Sequence, residues 1–136
     1  MGAWSHESFG NDDACDWSYE LAKADDLSLI ESALDAVLVA GSEYLEAPEA
    51  SQAIAAAEAV ARLQGNFGIK DAYSETVDIW VGKVKLSPTS QLITKTRQAL
   101  ARIISEPSEL LELWQESDEA DSWLGAVSEL RARIRD

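Results

Sequence analysis

One cysteine, Cys15, and one histidine, His6, are all the chain has of either residue. A lone cysteine excludes an intramolecular disulfide and gives no sign of an oxidising compartment. The two residues together fall short of a thiolate–imidazole zinc site. No apolar run exceeds five residues, too short for a membrane span or for the core of a signal peptide. Glycine stands second, but position six, where N-myristoylation expects a hydroxyl, is His6. Gly65-Asn66-Phe67-Gly68 is too short to cradle a phosphate and lacks the lysine and hydroxyl that would follow it. Glu-x-x-His pairs of the di-iron kind, repeats of fixed period and low-complexity tails are all missing. A serine triad would have to use His6, in a terminal segment, and Cys15 beside Trp17 has the setting of an inert thiol. The expectation is therefore no catalytic residue, no cofactor and no enzyme.

Bases are scarce as well. The 136 residues carry 25 acids against 11 bases, a net charge of −14. Residues 1–61 hold thirteen acids and one base, Lys23; residues 62–105 hold three acids and seven bases; residues 106–136 hold nine acids and three bases. Such a field repels phosphate backbones and anionic lipid heads, so neither nucleic acid nor a membrane surface is an expected partner. A basic protein would be attracted and steered. Acidity also serves plain solubility, and a cytoplasmic protein is expected.

What is present reads as helix nearly end to end. Asn11 can cap a first helix, with Asp12 and Asp13 against its positive end and Ala14, Trp17 and Leu21 on one face. Ser28 and Glu31 have capping-box spacing ahead of Ile30, Leu34, Val37 and Leu38, with Gly41 marking a break. Pro48 suits a first helical turn, and the alanine-rich run from Ala53 to about Leu63 predicts a helix packed close to its neighbours. After the Gly65–Gly68 loop, residues 74–85 fit a helix capped by Ser74, although Thr76-Val77-Asp78-Ile79-Trp80-Val81 also reads as strand. Ser87-Pro88 opens a helix with Leu92, Ile93, Leu100, Ile103 and Ile104. A short helix follows from about Pro107 with Leu110, Leu111, Leu113 and Trp114. The last, from about Glu119, aligns Trp123, Val127, Leu130 and Ile134, and ends in Arg131, Arg133 and Arg135, where cations suit the helix dipole. These elements predict one all-α domain over residues 1–136, a bundle of six or seven helices with short loops, on which segment 1–17 packs.

Two clusters could carry function. At the N-terminus, His6, Asp12, Asp13 and Asp16 could converge on a hard cation or act as an acid–base pair, since i, i+3 and i, i+4 positions share a helix face. The same residues, with Trp4, Phe9, Asn11 and Trp17, are equally what a capped and aromatically anchored helix start requires, and the EF-hand pattern is not met. Nearer the C-terminus, Glu106, Glu109, Glu112, Glu116, Asp118, Glu119 and Asp121 have no base between them. They form either the wet face of an amphipathic helix or an acidic docking face for an Arg- or Lys-rich partner, with Trp114 as anchor. Exposure of Trp114 separates the two, and Trp80 is expected in the core.

The opening Met1-Gly2-Ala3-Trp4, then Phe9, Asn11-Asp12-Asp13-Ala14 and Asp16-Trp17, resembles a bacterial domain-of-unknown-function family, number 4259. The likeness continues through Ala53–Leu63 and through Ser108-Glu109-Leu110 with Leu113-Trp114 into the last helix, with Ser5 where the family pattern has glycine. The resemblance implies a small stand-alone bacterial protein and brings no activity, cofactor or catalytic residue. The expected function is binding of a basic protein, in concrete form as an immunity protein that masks a basic toxin such as a nuclease; the alternative is a metal site at His6, Asp12, Asp13 and Asp16.

Overall fold

The capping and periodicity signals resolve into seven helices in a computed structural model that describes residues 7–135. They are α1 (Asp12–Leu21), α2 (Ser28–Leu38), α3 (Ala47–Leu63), α4 (Glu75–Val84), α5 (Ser90–Ile103), α6 (Glu109–Gln115) and α7 (Ala120–Arg133). Among the described residues there is no strand, and the parallel pairing of Leu45 with Ser108 is an isolated bridge. The fold is an all-α bundle.

α3 is its axis. Twelve of its residues are buried, seven of them alanines, and it touches all six other helices. The alanines explain how: with no side chain beyond Cβ, they let neighbouring backbones approach on every side, at the best intrinsic helix propensity. The helix starts on Pro48 in its first turn. It ends in a Schellman motif, with the Gly65 amide donating to Arg62 O at 2.9 Å and the Asn66 amide to Ala61 O at 2.9 Å. Gly65 takes φ +86° there, a left-handed conformation that a side chain would resist.

Around this axis pack the apolar faces read from the sequence. Ala14, Trp17 and Leu21 of α1 are buried, as are Ile30, Leu34 and Val37 of α2 and Trp123, Val127, Leu130 and Ile134 of α7 and its end. Trp80 is buried too, and its indole N–H donates to Ala24 O at 2.9 Å. Residues 75–84 are helical, so the strand alternative falls. Only Val77 and Trp80 of that helix are buried, while Ile79 turns outward, so the spacing of its core contacts is that of a helix.

Three expected caps differ. Ser28 does not close a capping box with Glu31; Asp26 Oδ1, two residues earlier, accepts from both the Ser28 amide and its hydroxyl. α5 is capped by Thr89, whose Oγ1 accepts from the Leu92 amide at 3.1 Å, rather than by Ser87-Pro88. Ser74 stands at the start of α4 but makes no capping bond to it; its hydroxyl donates to Asp78 and accepts from the Asp71 amide. For α2 and α5 a neighbouring oxygen is better placed, and spacing alone does not choose between neighbours. The Asn11 cap forms as expected, accepting from the Ala14 amide at 2.8 Å.

Candidate functional site

Charged groups gather at both ends of α3, and they do so differently. At its N-terminal end, acids from separate stretches of sequence converge. Glu109 of α6 reaches back to accept from the Ala47 amide at 2.8 Å, capping α3 from outside its own segment. Leu45, beside it, is tied to the start of α6 by its amide donating to Pro107 O and its carbonyl accepting from the Glu109 amide. The exposed Tyr44 donates to Glu112 at 3.4 Å. Its phenol is pushed upward by desolvation and by the negative charges of Glu112, Glu109 and Glu46. On the α1 side, burial and the charges of Asp16, Asp12 and Glu49 raise the Asp13 carboxyl above the ordinary range. Asp13 thus feels Asp12, Asp16 and Glu49, and Tyr44 feels Glu46, Glu109 and Glu112, two acidic groupings that flank the start of α3. Glu116, Asp118, Glu119 and Asp121 continue on the exposed turn from α6 to α7.

The aromatic partner expected on this face is not there. Trp114 is only 4% exposed and stacks on Trp123, with ring centroids 6.2 Å apart and planes at 9°. Its period matches the buried face of α6 with Leu110 and Leu111. Trp114 is a core residue, and the anchoring role assigned to it is withdrawn. Glu109 likewise serves α3 as a cap. The remaining acids are a solvated surface whose only exposed aromatic among the residues just named is Tyr44.

At the C-terminal half of α3 the charges are buried and paired. Glu58 and Arg62, at 3% and 2% exposure, sit one turn apart on the alanine-lined helix. Glu58 accepts from Arg62 Nε at 3.2 Å, from the two terminal nitrogens of Arg133 at 2.7 and 2.9 Å, and from the Ser8 hydroxyl at 2.8 Å. Arg62 donates onward to Asp78 of α4 and to Ile69 O at 2.8 Å, and its guanidinium lies 5.6 Å from the ring centres of both Phe9 and Phe67. Arg133 also bonds Glu129 at 2.5 Å and Asn66 O at 3.1 Å. Burial alone would raise the Glu58 carboxyl, but the hydrogen bonds and charge of Arg133, with Arg62 and Ser8, hold it below the ordinary glutamate range. Arg133, expected merely to complement the end of α7, instead ties α7 and the 65–70 loop to α3, while Ser8 and Phe9 join the segment before α1 to Glu58 and Arg62. Gly68 passes so close that a Cβ there would lie 2.8 Å from its guanidinium.

Sequence reasoning missed this network. The signal was present in one respect: Glu58 and Arg62 are an i, i+4 pair inside an otherwise apolar alanine run. Over the network lies a cleft of about 130 Å³, walled by Ser8, Phe9, Ile69, Asp71, Glu129 and Arg133 among others.

Of the N-terminal cluster, Phe9 and Trp17 are buried, Asp12 and Asp16 are exposed and Asp13 is half-buried. Trp4 and His6 lie outside the described residues. Among the described residues no group of three or more histidine, cysteine, aspartate or glutamate side chains is placed to hold a metal ion. Cys15 is half-buried, its thiol donating to Phe9 O at 3.4 Å. Burial, then the charges of Asp12, Asp16 and Asp71, push that thiol upward, so it stays protonated and weakly nucleophilic at neutral pH.

Fold and surface define an acidic, all-α protein built around one alanine-rich helix, in which no helix among the described residues is long and apolar enough to cross a membrane. The chain belongs to the family described as Domain of unknown function (DUF4259), whose model matches residues 2–126. Neither the curated proteins nor the solved structures yield a match.

Proposed function

We propose that this protein is a non-enzymatic binding module for a basic protein, with neutralisation of a basic toxin such as a nuclease as its concrete form. The observation that carries the reading is the crowding of acids about the N-terminal end of α3, where burial with the charges of Asp16, Asp12 and Glu49 raises the proton affinity of Asp13, and burial with those of Glu112, Glu109 and Glu46 raises that of Tyr44. Unpaired like charges held together on a surface cost stability. A cationic partner removes that cost on binding and is drawn in by the same field. The buried network makes the contrast plain, because there each carboxylate already has its cation.

The test is co-purification at low and moderate salt, followed by reconstitution with the purified, identified partner. The expected result is a basic protein whose affinity falls steeply with salt, and falls again on Glu112→Lys with Glu116→Lys. A partner that is retained equally at both salt concentrations, or that ignores the charge reversal, overturns the reading.

A further inference from the structure

Burial of Trp114 leaves the acidic face without a large apolar anchor, but the chain exposes one elsewhere. Seven large apolar side chains are well exposed among the described residues, and four of them, Phe67, Ile69, Tyr73 and Ile79, belong to the loop entering α4 and to that helix. They are neighbours. Ile69 and Tyr73 both border the cleft above Glu58 and Arg133. Asp71, between them, also borders a shallow groove with Lys70, Glu75 and Ile79. The ring of Phe67 lies 4.2 Å from the Lys70 ammonium. Clustered apolar exposure of this kind marks interaction surfaces in soluble proteins.

The charge beside the patch selects the occupant. Three carboxylates, those of Glu58, Asp71 and Glu129, line the cleft against the two guanidiniums of Arg62 and Arg133. Both guanidiniums are engaged by Glu58, Asp78, Glu129 and backbone carbonyls, which leaves no cation to receive an anion. The surplus is negative, and in the adjoining groove Asp71, Glu75 and Asp78 outnumber the single cation, Lys70. The cleft is also small, well below the several hundred cubic ångströms of a typical cofactor pocket, so it suits the end of one side chain. A second copy of the chain, carrying the same net charge of −14, is repelled.

We propose that Phe67, Ile69, Tyr73 and Ile79 form the docking surface for a basic amphipathic segment of a partner protein. Its apolar side chains cover Ile69, Tyr73 and Ile79, and one of its lysines or arginines enters the cleft beside Asp71 and Glu129. This is recognition by an apolar face with charged flanks, as amphipathic helices are recognised in grooves. The inference rests on the reading of the partner as basic and adds where, and by what chemistry beyond charge, that partner is held.

Three synthetic peptides test it by titration at physiological salt: a lysine–leucine amphipathic helix, its scrambled isomer of identical composition, and the amphipathic sequence with glutamate in place of lysine. The amphipathic cationic peptide is expected to bind at least tenfold tighter than the scrambled one, and the acidic peptide not at all. Ile69→Ser with Ile79→Ser, both at exposed positions and with unchanged circular dichroism, should bring the amphipathic peptide down to the scrambled level. Glu75→Lys should weaken both cationic peptides. Equal affinity of the two cationic peptides, or wild-type affinity in the serine double variant, overturns the docking surface. If Glu112→Lys with Glu116→Lys still abolishes binding in that case, the function stands and this inference alone fails. No binding of either cationic peptide likewise overturns the docking surface, and the co-purification experiment decides the binding function by itself.

Discussion

The N-terminal and C-terminal halves of α3 carry carboxylates in opposite circumstances. Glu58 is enclosed, shares its charge with two arginines and a serine, and is held ionised below the usual range. Around the other end Asp13, Glu46 and Glu112 have no ion pair among the described residues, Glu109 is spent on the Ala47 amide and one buried oxygen of Glu49 lacks a partner, and there the proton affinities of Asp13 and Tyr44 rise. The difference follows from solvent. A buried carboxylate must be matched inside the protein, since water is not there to stabilise it, whereas a surface carboxylate can be left to water and to whatever binds later. One end of the helix is therefore a staple and the other an unfilled valence.

The largest effect should come from removing the staple's centre. Glu58→Gln takes the shared counter-charge from the buried Arg62 and the half-buried Arg133 and should cost about 3–5 kcal/mol, lowering Tm by roughly 10–20 °C, measurable by thermal or urea melts. The comparison breaks if that variant melts like wild type. Acid sharpens the same point. A carboxylate held low in the folded state contributes stability that is complete above its unfolded value, about 4.3, and is lost as pH falls through its folded value. The gap between wild type and Glu58→Gln should thus narrow on titrating from about pH 5 to pH 2.

Next in size is Gly68→Ala. Its Cβ meets a guanidinium that Glu58, Glu129 and Asn66 O hold in place, so the clash cannot relax freely, and about 1–3 kcal/mol of stability should be lost. Arg133→Met in the same chain should relieve the clash, and a double-mutant cycle reads that coupling.

Smallest, and opposite in sign, are changes at the other end of α3. The raised Asp13 carboxyl means that ionisation there disfavours the folded state, an effect absent at low pH and complete above the folded value. Asp13→Asn should raise Tm by about 1–2 °C at pH 7 and leave it unchanged near pH 3. Glu116→Gln, at the exposed C-terminus of α6, should alter stability by less than about 0.5 kcal/mol while weakening capture of a basic partner. Loss of stability in either variant would mean that these acids are structural after all.

The helices were legible because each rests on local rules. The apolar periods of α1, α2 and α7, the Asn11 cap and Pro48 at the start of α3 all act within a few residues of themselves. The alanine run was legible as close packing, though not as the central axis, because six partners from distant parts of the chain decide that. Trp114 shows the limit most clearly. Beside seven acids its neighbourhood reads as wet, and only the parallel ring of Trp123 shows that its face turns inward. Glu109 reads as one member of an acidic stripe and proves to be the cap of a helix far earlier in the chain.

Sequence by itself determined the all-helical character, the strong negative charge, the absence of disulfide chemistry and the positions of nearly every helix, since these depend on composition and on contacts within a turn or two. Tertiary structure decided which charges are spent on one another and which face outward, where the exposed apolar surface lies, and that Arg133 binds Glu58. Those pairings join groups as many as 75 residues apart. Whether two such groups meet depends on how seven helices pack, and no local rule contains that information.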